Sequence, residues 1–276
     1  MRSGAWWGRS IVPDLLARGL TLGYLGLMVV LPLAALLAQS LTADSLALWR
    51  AVSNAHAVHA LGLTIVTALL MVAINVVMGT ATAWVLVRYK FPGKGFVNAM
   101  IDLPFAIPTV VTGLTLVLLY GPSSVLGAIL GRHGFAVIYA QPGIVLALLF
   151  VCYPFVIRSV QPVLIELDPA EEEAAATLGA GSFTTFRRVT FPTLLPSILT
   201  GAALSFSRAL GEFGSVIMVA GNQPLKTKTA PLYVFGEIES GNRLGAVAVS
   251  VVLLAISLGI LLLLNIVQRG RTEHGH

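Results

Sequence analysis

Six long stretches of this 276-residue chain are apolar enough to cross a lipid bilayer, and they constrain the fold more than any motif does. A hydrocarbon core of about 30 Å takes roughly 20 apolar residues in a helix. Gly19 to Ala38 carries no charge, and Ala60 to Val87 is longer than required. A third stretch runs from Phe96 to Tyr120 and holds Asp102. A fourth covers Gly143 to Ile157 and extends back to Phe135 without meeting a charge. Leu194 to Ala220 contains Arg208 and Glu212, and Leu244 to Gln268 is again free of charge. None alternates apolar and polar residues as a barrel strand does. With 57% hydrophobic and 11% charged residues, the chain has too much apolar side chain for a water-soluble globule. It also lacks the polar composition that disorder needs. The expected fold is an all-α membrane protein with six transmembrane helices.

The basic residues set the expected orientation, because cytoplasmic loops retain Lys and Arg. The first stretch is too long for the apolar core of a cleavable signal and lacks a small-residue cleavage site, so it reads as a retained helix. Arg2, Arg9 and Arg18 then hold its N-terminus in the cytoplasm. With that start, eleven basic residues fall in cytoplasmic segments and five (Arg50, Arg132, Lys226, Lys228 and Arg243) fall outside. Both termini are expected in the cytoplasm. The basic residues are scattered over short segments rather than gathered on one face, which argues against nucleic acid as a partner. Cys152 is the single cysteine, so neither a disulfide nor a zinc spacing exists within the chain. His56 and His59 share a helix face without a third ligand, a poor metal site. Gly19 and Gly23 form a GxxxG of the kind that arises by chance in apolar helices.

One cytoplasmic segment, Arg158 to Pro192, is long, and its charges are ordered: Glu166, Asp168, Glu171, Glu172 and Glu173 precede Arg187 and Arg188. Asp168 is suited to cap a helix, Pro169 to its first position, and Glu171 to the capping box. Three alanines propagate that helix and Gly179 stops it. Ser182 is then placed to cap a second short helix running towards Pro192. A rigid element presented to a partner fits this better than a solvated linker does.

The string Glu173-Ala174-Ala175, three residues, Gly179, nine residues, then Val189-Thr190-Phe191-Pro192 resembles the EAA loop of ABC importer permeases. Val189 and Phe191 stand where that family has isoleucine and leucine. The resemblance implies a type I importer permease fold in which Glu173, Ala174, Ala175, Gly179, Val189, Phe191 and Pro192 couple to an ATP-binding subunit. The chain has no GxxxxGK[ST], so ATP and magnesium are expected on partner subunits and no cofactor in this chain. Arg208 to Gly214 is similar to a segment of permeases for sulfate and molybdate. Gly221 to Thr227, Ala230 to Leu232 and Asp102 to Thr109 are similar to the T-type sulfate/thiosulfate permeases. The likeness implies transport of sulfate or thiosulfate across a bacterial inner membrane, with molybdate or tungstate as the alternative solutes. It implies two ATP-binding subunits, a W-type partner permease and a periplasmic binding protein as partners. The implied layout is a tail at 1–18, a leading helix at 19–38, a five-helix core at 58–268 with its coupling loop at 158–192, and a tail at 269–276.

Arg208 and Glu212 are four residues apart, on one face of the fifth span. Each costs roughly 2.5 to 3.5 kcal/mol at the bilayer centre, so both should face protein or water. They form either an internal ion pair, with Gly211 and Gly214 allowing close packing, or a gate at which Arg208 meets a passing anion. Pro104 and Pro108 break the third span, as a packing kink or as a bend lining the path. Asp102 is expected to pair with a nearby lysine. Lys226 and Lys228 can draw anions to the outer mouth or merely solubilise it. Two other classes remain open. An ion-coupled secondary transporter would carry inverted repeats, which are not seen, and a membrane enzyme would need a polar cluster beyond these three charges.

Overall fold

The computed structural model describes residues 11–272, and no strand occurs among them. Arg2 and Arg9 lie outside that range, and the side chains of Arg269 and Arg271 are likewise outside the described residues. Five helices are long and apolar enough to cross a membrane, and a sharply bent pair makes the sixth candidate.

The leading span is α1 (Ile11–Leu25), a π turn at Gly26–Val30, and α2 (Leu31–Thr42). Pro32 explains the turn. It has no amide to donate to the preceding turn, and the helix widens so that the Leu31 amide bonds to the Gly26 carbonyl instead. No residue of α2 is buried, and both Gly19 and Gly23 face open space, as a chance GxxxG would. Next come α3 (Ser45–Ser53) and α4 (Ala55–Arg88), capped by the side chains of Asp44 and Asn54. α4 runs unbroken for 34 residues.

The third span is not one helix. α5 (Lys94–Ala106) and α6 (Thr109–Tyr120) meet at 112°. Pro104 stays inside α5, and the break falls at Pro108, which lacks an amide and drives Ile107 into an extended conformation at φ −91°, ψ 130°. A short α7 (Val125–Arg132) precedes α8 (Gln141–Glu166), the central helix, which packs on α4, α5 and α6. α9 (Pro169–Thr177) follows after two residues. α10 (Ser182–Thr185), a second π turn at Phe186–Thr190 and α11 (Phe191–Leu210) then run as one 29-residue span. α12 (Gly214–Ala220), α13 (Ala230–Glu239) and α14 (Arg243–Thr272) complete the chain.

Three expectations are corrected. The segment between the fourth and fifth spans is shorter than Arg158 to Pro192, because α8 continues to Glu166 and the fifth span already begins at Ser182. The helix started at Ser182 does not end near Pro192, because the π turn absorbs the proline's missing donor: the Phe191 amide bonds to the Phe186 carbonyl. Ser182 is also not the cap; Gly181 is, without a side-chain bond.

α4, α8 and α11 meet at Val156, which is fully buried between two glycines. A Cβ on Gly79 would stand 3.0 Å from the Val156 side chain, and one on Gly201 would stand 2.7 Å from its Cα. Small residues at a crossing let backbones approach, the usual means of packing helices in lipid.

Candidate functional site

α9 is built by its own sequence. Asp168 Oδ1 accepts from the Ala170 amide at 2.9 Å, Pro169 opens the helix, and Glu171 and Glu172 lie in its first turn, where the helix dipole favours them. Gly179 ends it at φ +82°, in the left-handed region. The Ala180 amide bonds to the Ala175 carbonyl and the Gly179 amide to that of Ala176, a complete Schellman motif.

One face of this helix is tied down. Glu172 Oε1 accepts from Arg88 Nη2 at 2.7 Å, at the end of α4, and from the Thr190 hydroxyl at 2.9 Å, in the second π turn. The Arg88 guanidinium lies 5.4 Å from the centre of the Trp84 ring, which meets Phe186 edge to face at 5.5 Å. The opposite face is open. Glu173, Ala174 and Gly179 are exposed, as are Phe191 and Pro192, while Ala175 and Val189 are half-buried. Beside them Leu178 is 89% exposed and Phe183 75%, so two large apolar side chains project beyond the bundle. Their apolar character within a polar segment was the available sequence signal. Nothing in sequence pairs Glu172 with Arg88, 84 positions away.

Arg208 and Glu212 do form an ion pair, 2.7 Å from Nη1 to Oε2, but not in mid-helix. α11 stops at Leu210. The Glu212 carboxylate, 1% exposed, takes the Ser215 amide and hydroxyl, both at 2.8 Å, and thereby starts α12. The stretch from Leu194 to Ala220 is therefore interrupted at Gly211–Phe213, just after the 29-residue span has ended at Leu210. This break and the one at Pro108 touch: Gly214 lies against the Thr109 hydroxyl and Val110 at the start of α6, and Gly113 packs on the Ser215 backbone. Pro108, Arg208 and Glu212 thus belong to one region, with Pro104 one turn before it. Lys226 does not join them; it is exposed in the loop between α12 and α13.

Asp102 pairs with Arg158 of α8 rather than with a lysine, through Nε at 2.7 Å and Nη2 at 2.6 Å. Arg158 also reaches Asn98 and Gln161, so one planar fork fastens α5 to α8. Lys94, on the same helix as Asp102, donates to the Tyr89 carbonyl at 3.4 Å.

Residues 75–272 match the family described as binding-protein-dependent transport system inner membrane component. The chain is 45% identical over 249 residues to a probable sulfate transport system permease protein of Chlorokybus atmophyticus, covering 90% of this chain and 87% of the relative. Identity and coverage are the same for the sulfate transport system permease protein of Synechocystis sp.. Among solved structures, a chain of a bacterial ABC transporter involved in import of the acidic polysaccharide alginate superimposes with a TM-score of 0.75. That match covers 94% of this chain and 96% of the other, at 19% identity. The same kind of transporter bound to its pentasaccharide-loaded periplasmic protein gives 0.77 at 18% identity, covering 95% and 96%.

Proposed function

The chain belongs to the family of binding-protein-dependent transport system inner membrane components, and from that premise we propose that it is the permease subunit of an ATP-driven importer of sulfate or thiosulfate. The observation that carries the solute is 45% identity over nine-tenths of the chain to relatives named for sulfate transport. The energy source is read from α9, a capped helix whose free face bears Glu173 and the exposed Leu178.

In this reading the chain lies in the inner membrane with both termini and α9 in the cytoplasm. It is not itself a catalyst. ATP and magnesium bind two partner subunits, each presenting a cleft to one coupling helix, and a second, W-type permease supplies the other half of the path. ATP binding closes the partner pair, draws the coupling helices together and turns the permeases outward-open. A periplasmic binding protein then delivers the anion, and hydrolysis resets the cycle. The paired breaks at Pro108 and Glu212 line or gate the path, with Arg208 offering the positive charge nearest to it. Lys226 attracts the anion to the outer mouth.

The test has two parts. Labelled sulfate uptake by cells expressing the whole system should be suppressed by thiosulfate and little affected by molybdate or tungstate; the reverse order would reassign the solute. Glu173→Lys and Gly179→Asp should each insert normally yet fail to co-purify the ATP-binding subunits. Normal co-purification with both variants would remove α9 from the coupling role.

A further inference from the structure

Whatever moves α9 must pass that motion into the membrane through contacts that α9 makes within this chain. α9 packs on α10 and the second π turn, and its Glu172 side chain reaches α4. Glu172 is held by Arg88 and Thr190, with the two members of the ion pair only 22% and 25% exposed. The Nε of Arg88 is buried without a partner among the described residues, while Nη2 meets the carboxylate and the guanidinium lies over the Trp84 ring. A half-buried guanidinium with a single carboxylate partner leans on that counter-ion.

Arg88 is the last residue of α4, and α4 is built to carry displacement. Of the described spans, only α4 and α14 are free of both proline and π turns. From Arg88 back to Thr64 the helix covers about 36 Å. At that far end the Thr64 hydroxyl accepts the Ala230 amide at 2.8 Å, and Asn54, the α4 cap, donates to the Tyr233 hydroxyl at 3.1 Å. Both partners belong to α13. The loop before α13 is closed on itself, since the amides of Lys226, Thr227 and Lys228 come within bonding distance of the Gln223 carbonyl. It leads directly into α13 and is also held at the start of α8, where Gln141 Nε2 donates to the Lys226 carbonyl at 3.3 Å.

We infer that Arg88, Glu172 and Thr190 form a clamp that passes displacement of the coupling helix into α4, and that α4 transmits it as a rod to α13 and the loop at the opposite mouth. These are positioning residues: they touch neither ATP nor the anion. The inference rests on the reading of α9 as the ATPase dock and separates two adjacent acids within it. Glu173 faces outward to the partner, and Glu172 faces inward to the rod. By reciprocity, occupancy at the outer mouth biases α9 through the same contacts.

The experiment uses the purified complex of this chain, its partner permease and the ATP-binding subunits, reconstituted in proteoliposomes with the binding protein. Labelled sulfate taken up and ATP hydrolysed are measured together. Glu172→Gln, which keeps the size and the Thr190 bond, should leave the complex intact and lower sulfate transported per ATP by at least about fivefold, the lower end of coupling between sites. Thr190→Val should do so more weakly. The double variant R88E/E172R should restore most of the ratio that R88E loses. An unchanged ratio in Glu172→Gln would overturn the clamp. So would loss of the ATP-binding subunits from that variant, since Glu172 would then only shape the dock. A lowered ratio without recovery in the double variant would overturn the pairing itself. If the unaltered chain bound no ATP-binding subunit, the fault would lie instead with the reading of α9.

Discussion

Glu212 does with one carboxylate what the break between α11 and α12 requires. Interrupting a helix frees amides that lipid cannot satisfy, and each costs several kcal/mol if left bare. Glu212 Oε1 takes the amide and hydroxyl of Ser215, while Oε2 neutralises Arg208. Replacing it by alanine should uncap α12 and strand Arg208 together. We expect a loss of about 3 kcal/mol, at the low end for breaking a buried pair because the Arg208 side chain is 36% exposed. A fall in the thermal midpoint of the purified protein reads this, and Ser215→Ala, which loses only the hydroxyl, should fall less. Equal stability of Glu212→Ala and the parent chain would mean that water already satisfies the break. The pairing was legible in sequence, because four residues apart is one helical turn. The break was not, since a hydropathy window averages Glu212 with its apolar neighbours and does not register a side chain that captures an amide.

At the scale of elements, close approach explains more than hydrophobicity does, because lipid is as apolar as leucine. Val156 sits between Gly79 and Gly201, where α8 crosses α4 and α11. Gly201→Val would press against the backbone of Val156 and Phe155 and should cost roughly 1 to 3 kcal/mol, with helix separation as the alternative to strain. Gly62→Ala, on the same bundle but with nothing within 4 Å of the added carbon, is the control and should be neutral in the same thermal measurement. Matching losses at both sites would remove the crossing as the cause. Neither Gly79 nor Gly201 stood out in the sequence, whereas Gly19 and Gly23 formed a motif and pack against nothing. A crossing is a property of two helices and leaves no spacing in either. The prolines behave likewise. Pro32 and Pro192 each follow a π turn and leave their spans continuous, while Pro108 bends its span by 112°. Before Pro32 and Pro192 the helix widens around the donor that proline lacks, whereas before Pro108 the backbone turns extended at Ile107.

The whole molecule has two ends that the fold itself distinguishes. α4 ties its last residue to α9 through Arg88 and its first turns to α13 through Asn54 and Thr64, so α9 and the loop carrying Lys226 lie at opposite ends of the bundle. This relation was readable from the alternation of spans. Which end faces the cytoplasm rests on the arithmetic of Lys and Arg, whose bias sets orientation during insertion. The chain offers a clean test, because its native Cys152 is fully buried and silent to a water-borne thiol reagent. Lys90 is exposed just beyond α4, at the α9 end, and Arg132 is exposed at the end of α7. In spheroplasts, a membrane-impermeant maleimide should label Arg132→Cys at once and Lys90→Cys only after permeabilisation. Labelling of Lys90→Cys alone in intact spheroplasts would invert the molecule and put α9 outside, where no ATP-binding subunit could reach it. Equal labelling of both would mean that the bent α5–α6 pair returns to the side it left, since the one structural difference between a crossing and a re-entrant loop lies at that 112° break.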